Sequence, residues 1–227
     1  MAFSNFSNGA PCPNFPTVTF GEKTYNTVQI GNQCWFKENL NLGTRINGIQ
    51  EQTNNQIIEK YCYNDLESNC DISGGLYQWG EIVQYLNGGS NTTSWNPAPT
   101  GNVQGICPSG WHLPSDAEWC TLTQYIDPTV NCNANGPSGI DAALKMKSTS
   151  GWTNNGNGTN SSGFTIIPTG GRRNEGIFYW PTDYSSFLTA TQYDANNMFY
   201  RDVNSGPMIT RGEYLKIFGR TVRCIKD

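Results

Sequence analysis

The sequence predicts an α+β domain of short mixed β-sheets and two to three helices, with long ordered loops and disulfides. Three observations predict it. Aromatics (7 Trp, 11 Tyr, 10 Phe) are spread through a chain with 25 glycines, 12 prolines and only 36% hydrophobic residues, which suits a compact frame carrying long loops and argues against a helical bundle. Runs of period 2 and runs of helical period both occur, so strands and helices share the chain. Eight cysteines (Cys12, Cys34, Cys62, Cys70, Cys107, Cys120, Cys132, Cys224) are scattered with no C-x-x-C pair and a single histidine, a pattern that suits disulfides and not zinc.

Taken in order, residues 1–16 read as an irregular lead-in broken by Pro11, Pro13 and Pro16, and residues 17–227 as a single domain with no convincing linker. TVTFGEKTYNTVQIGNQCWF predicts a β-hairpin turning at Gly21–Glu22 and closed by Gly31–Asn32. Residues 43–60 are polar loop with a short strand, and CYNDLESNC is a tight polar loop between Cys62 and Cys70. Leu76, Trp79, Ile82, Val83 and Leu86 recur at helical spacing, so residues 75–86 read as a helix ended by Gly88–Gly89. Ser115 and Glu118 form a capping box ahead of the stripe Ala117, Trp119, Leu122, Tyr125, Ile126, predicting a helix that stops at Asp127–Pro128. A third short helix is expected over residues 140–148, loop over 150–163, a short buried strand at FTIIP, and several short strands without a helix from Phe178 to Asp227.

The charge balance excludes partners. With a net charge of −4 and Arg172–Arg173 the only adjacent basic pair, nucleic acid is not expected. No apolar run approaches the ~18 residues of a membrane span. The segment MAFSNFSNGAPCP has no basic n-region and no apolar h-region, so an export signal is expected to be absent from this chain, already removed. Disulfides persist in oxidising compartments, which points to an extracellular or cell-surface location. Eight cysteines allow about 105 connectivities, so spacing alone leaves the pairing open. The expected set is Cys12–Cys34, Cys62–Cys70, Cys107–Cys224 and Cys120–Cys132. The second and fourth are the nearest pairs and close short polar loops, and the third ties the end of a long loop to the last strand.

YNTVQIGNQCWFKENL, CYNDLESNC with GGLYQW, ICPSGWHLPSDAEW, SGFTIIPTGGRR and GRTVRCIKD stand in an order that resembles the Fibrobacter succinogenes major paralogous domain family of secreted bacterial proteins. WHLPSDAEW also resembles the LPTEAEW segment of the formylglycine-generating-enzyme-like group. This second resemblance implies a C-type-lectin-like fold. In such a fold the first and last strands, here TYNTVQI and RTVRCIKD, pair and bring the chain ends together.

No catalysis is expected. G-x-S-x-G, Walker A and H-E-x-x-H motifs are missing, no cysteine stands beside a basic cluster that would activate it, and His112 between Trp111 and Leu113 reads as structural. Glu81, Asp116, Asp183 and Asp194 carry no context that marks a glycosidase pair. No motif requires a cofactor. Calcium is the one candidate, at Asn64, Asp65, Glu67 and Asp71, where the simpler reading is a solvated turn. Sequons occur at Asn5, Asn91, Asn157 and Asn160.

Ligand binding is expected in the C-terminal third, between Gly170 and Tyr214, where aromatics mix with amides and arginines. The candidates are Arg172, Arg173, Trp180, Tyr193, Asn196, Asn197, Tyr200 and Arg201. The expected function is a secreted cell-surface binding or adhesion module that recognises a glycan or protein through these loops. The alternative is a structural subunit of an extracellular filament or coat, for which self-association would speak.

Overall fold

Strands form where the sequence alternates. In the computed structural model, which describes residues 9–227, β1 (Thr17–Phe20) and β2 (Lys23–Ile30) turn at Gly21–Glu22, and β3 (Gln33–Phe36) returns along β2 across Gly31–Asn32, as predicted. Residues 10–16 run beside β2: the Gln29 and Thr27 N–H groups donate to the carbonyls of Ala10 and Pro16, and Cys12 is buried. The first eight residues, Asn5 among them, lie outside the described residues.

The 43–60 segment contributes β4 (Thr44–Arg45) and β5 (Glu59–Lys60), a parallel pair. CYNDLESNC is not a plain loop. After a 3-10 turn at Tyr63–Asp65 it enters α1 (Glu67–Ser73). Only Cys70 of α1 is buried, so the helix has no apolar stripe for periodicity to detect. The helix predicted over 75–86 contracts to α2 (Trp79–Ile82). Leu76 and Tyr77 are extended and bridge to Tyr61 and Arg220, while Gln84 and Tyr85 turn left-handed at φ 54° and 50°. The helical spacing there is coincident with burial, and tertiary pairing overrides it.

β6 (Trp111–His112) leads into α3 (Asp116–Ile126), which starts at the predicted capping box: Ser115 Oγ accepts from Glu118 N–H, and the Glu118 carboxylate accepts from Ser115 N–H. β7 (Gly136–Ser138) and α4 (Ala142–Met146) follow, the helix inside its predicted 140–148 window. FTIIP makes no strand. Phe164 and Ile166 are buried, but only an isolated bridge joins Ile166 to Lys147. The remainder is β-structure without a helix, as expected: β8 (Gly171–Arg172), β9 (Phe178–Tyr179), β10 (Tyr184–Gln192), β11 (Asn197–Asn204), β12 (Ile209–Leu215) and β13 (Ile225–Lys226).

The class is therefore α+β, with a five-stranded sheet β1-β2-β3-β13-β6 and a four-stranded sheet β10-β11-β12-β7. The last strand shares a sheet with TYNTVQI, but its direct partners are β3, with Ile225 opposite Trp35, and β6, so β2 stands one place further out. Neighbouring β3 residues face opposite sides. Phe36 joins one core with Leu40, Tyr77, Trp79, Trp111 and Val222, and Trp35 joins a second with Met146, Trp119, Phe164, Phe187 and Val203. Trp119 of α3 centres the second core, 5.1 Å from the rings of Trp35 and Phe187 and 5.7 Å from Phe164. All four expected disulfides form, and the described residues hold no free cysteine. The amides of Asn91, Asn157 and Asn160 are engaged internally, with Gly80, Trp152 and Thr165.

Candidate functional site

Period-2 alternation divides the β10-β11-β12 sheet into two unlike faces. Registers Leu188↔Tyr200↔Gly212 and Ser186↔Asp202↔Thr210 put Tyr184, Ser186, Tyr200, Asp202 and Tyr214 on one face. Phe187, Arg201, Val203, Ile209 and Arg211 lie on the other, against α3. The first face forms a cleft of about 230 Å³ with the β8–β9 hairpin and the segment before β13, lined by Arg173, Tyr179, Trp180, Tyr184, Tyr200, Asp202, Tyr214, Phe218 and Arg220.

The cleft exists because two glycines make room for rings. A Cβ on Gly212 would meet the Tyr200 hydroxyl at 2.9 Å, and one on Gly171 would meet the Tyr179 hydroxyl at 2.5 Å. Tyr179, Trp180 and Tyr184 touch at centroid distances of 5.2–5.8 Å on one wall. On the other, Tyr214 stands between Tyr200 at 6.2 Å and Phe218 at 5.0 Å. Trp180 adopts φ 48° and remains 54% exposed, so a bulky side chain sits in a costly backbone region while over half of it faces solvent.

The floor is charged. Arg220 is buried, with its guanidinium 4.6 Å and 5.2 Å from the ring centroids of Tyr200 and Tyr214. Its Nη1 donates to Asp202 Oδ1 at 3.2 Å, to the Tyr184 hydroxyl at 3.1 Å and to Ser186 Oγ. Burial pushes the Asp202 carboxyl up despite Arg220, and burial also lifts Tyr200 to about 12 and Tyr184 further, so the hydroxyls stay protonated donors at neutral pH. Arg220 Nε is enclosed without a hydrogen-bond partner among the described residues, an omission that costs roughly 1–3 kcal/mol in general.

The predicted binding residues separate into three groups. Arg173, Trp180 and Tyr200 line the cleft. Tyr193, Asn196 and Asn197 sit at the far turn between β10 and β11, where Asp194 accepts from the Asn196 and Asn197 N–H groups. Arg172 and Arg201 are buried frame residues. Arg172 donates to the Gly48, Gln50 and Ile217 carbonyls and pairs with Glu51, and Arg201 pairs with Asp116 at 2.5 Å behind the sheet. Arg201 is adjacent to Tyr200 in sequence and therefore on the opposite face. Sequence reasoning missed Tyr179, Tyr184, Asp202, Tyr214, Phe218 and Arg220. The parity of Tyr184, Tyr200, Asp202 and Tyr214 along their strands was a usable signal, whereas the arrival of Arg220 depends on the tertiary fold.

The residues considered for calcium do not converge. Asp65 accepts from Gly48 N–H, Glu67 pairs with Lys60 at 2.7 Å, and Asp71 pairs with Lys23 at 2.9 Å. Asn64 and Asp65 both adopt positive φ in the 3-10 turn, 53° and 56°. Among the described residues no group of three or more His, Cys, Asp or Glu side chains is arranged to hold a metal ion.

No curated protein and no solved structure matches the chain. A family model described as the Fibrobacter succinogenes major domain matches residues 28–226, from the middle of β2 to the last strand. It spans the cleft and three of the four disulfides entirely, together with Cys34 of the fourth. With nearly the whole fold matched, the chain belongs to the Fibrobacter succinogenes major domain family.

Proposed function

We propose that this protein is an extracellular binding module that takes a glycan in the tyrosine-lined cleft. One observation carries the reading: a strained, half-exposed Trp180 and an exposed Tyr214 flank a concave site whose floor is a buried Arg220 hydrogen-bonded to a part-buried Asp202. Aromatic rings offer broad apolar contact to the C–H faces of a sugar at low entropic cost, and the tyrosine hydroxyls and arginines serve its polar groups. About 230 Å³ is below the usual 300–1,000 Å³ of pockets for drug-sized ligands, so the cleft suits one ring with its substituents and not a broad protein surface. Four disulfides favour an oxidising compartment, and no helix among the described residues is long and apolar enough to cross a membrane. A lectin-like frame, with the first and last strands in one sheet and loops carrying the site, is part of this reading, as is binding without turnover.

A glycan array run with and without calcium tests it. The expected outcome is binding of a restricted glycan set that calcium does not alter, and that Trp180→Ala weakens about tenfold without a change in melting temperature. Array binding unaffected by both Trp180→Ala and Tyr214→Ala would move the site elsewhere. Sedimentation of concentration-dependent filaments in place of a single small species would favour the structural-subunit alternative.

A further inference from the structure

We propose that the glycan taken by this cleft is acidic, with a uronic-acid carboxylate received by Arg220 and assisted by Arg173 at the rim; this rests on the glycan reading above. Four arginines are buried: Arg172, Arg201, Arg220 and Arg223. Three are occupied by the frame. Arg172 is held by carbonyls and Glu51, Arg201 by Asp116, and Arg223 by Asn39 and the carbonyls of Phe164 and Thr165. Arg220 alone keeps an enclosed nitrogen with no partner among the described residues.

The distribution of its bonds identifies the vacant chemistry. Nη1 makes all the hydrogen bonds recorded for the guanidinium among the described residues, to Tyr184, Ser186 and Asp202. Nε and Nη2 are left, and in a guanidinium these two N–H groups lie parallel on one edge, the pair that matches both oxygens of a carboxylate; because Nε is enclosed, the ligand reaches it when the side chains lining the cleft shift. The guanidinium carbon lies over the rings of Tyr200 and Tyr214, which restrain the group before a ligand arrives.

Charge points the same way. The cleft is lined by Arg173 and Arg220 against the single carboxylate of Asp202, so it is formally cationic within a chain of net charge −4. The protein as a whole repels polyanions, so a preference for an acidic sugar needs a local cationic site, which this cleft supplies. Arg173 lies over the Tyr179 ring at 5.5 Å and is exposed, within reach of a second acidic group.

Isothermal titration with trigalacturonic acid and with its carboxyl-reduced, neutral counterpart tests the inference. The acidic trisaccharide is expected to bind about tenfold more tightly or better, with the advantage shrinking as sodium chloride rises from about 0.05 to about 0.5 M. Arg173→Gln is expected to cut the acidic-to-neutral preference about threefold, and Arg220→Lys to abolish it; if the latter fails to fold, Arg173→Gln still decides. Equal affinity for the two sugars overturns the acidic assignment and leaves the glycan reading standing, while binding of neither sinks both. An acidic preference that survives Arg173→Gln and Trp180→Ala undiminished belongs to another surface and overturns the assignment. A glutamate-rich peptide that binds as tightly as the trisaccharide overturns the sugar component.

Discussion

His112 shows how one residue acquires meaning from the fold. Its Nε2 faces Glu118 and its Nδ1 faces Asp227, each at 2.7 Å. Burial alone would lower its pKa, but the two carboxylates outweigh burial and hold it above the ordinary 6.5. The stability from this clamp is complete below pH ~6.5 and is lost as pH rises through the raised value. Glu118 behaves oppositely. Burial would raise it, yet His112 and the Ser115 donors hold it below 4.5, so its share is lost only as pH falls beneath that range. Glu81 adds a second effect in the neutral window, because burial raises its carboxyl to about 7, and its ionisation burdens the fold as pH climbs from about 4.5 to 7. The melting temperature is therefore expected to fall between pH 6 and pH 8.5. Glu81→Gln should stabilise the protein by about 1–3 kcal/mol at pH 8 and flatten the lower part of this fall. His112→Asn should flatten the upper part while lowering stability at pH 6. Melting curves across pH that keep the same slope in both variants would refute the assignment.

At the scale of elements, α3 was legible because its start signal is local. Ser115 and Glu118 satisfy each other's backbone donors within one turn, whatever lies around them. Ser115→Ala is expected to cost about 0.5–2 kcal/mol in urea denaturation. Glu118→Ala should cost more, because Glu118 also closes the His112 clamp. If Ser115→Ala costs as much as Glu118→Ala, the clamp contributes nothing beyond the cap. The failures have equally physical causes. α1 buries only Cys70 and carried no periodic signal, and the helix expected at 75–86 was cut to Trp79–Ile82 because Leu76 and Tyr77 pair with Tyr61 and Arg220. β11 is expected only as one of several short strands after Phe178, without bounds or parity, so Tyr200 and Arg201 are grouped although a strand sends them to opposite faces.

For the whole molecule, the longest-range covalent connection is Cys107–Cys224, which ties the middle of the chain to its last strand across 117 residues with Cα atoms 5.9 Å apart. In the chain-entropy model a loop of that size is worth about 5 kcal/mol, against about 2.5 kcal/mol for the 8-residue separation of Cys62–Cys70. The double variant Cys107→Ser/Cys224→Ser should lose roughly twice the stability of Cys62→Ser/Cys70→Ser in denaturant titrations. Equal losses would mean that local packing, and not loop closure, governs both bridges.

The sequence by itself determined the α+β class, the presence of disulfides, the capped helix and the β-rich C-terminal third, because each is written in local spacing, in caps and turns, or in a cysteine count; the expected pairing was one of many that the count allows, and the fold realises it. Of the residues expected to bind, Arg173, Trp180 and Tyr200 line one cleft. Only the tertiary structure decided which residues of that region meet. Strand register sends Tyr184, Tyr200, Asp202 and Tyr214 to one face, and a segment beyond the predicted window brings Phe218 and Arg220 beneath them. Arg172, Arg173 and Arg201 look alike in sequence. What separates a buried frame arginine from an exposed one at the rim is the set of carbonyls and carboxylates that distant chain segments bring to each, and no local pattern encodes that meeting.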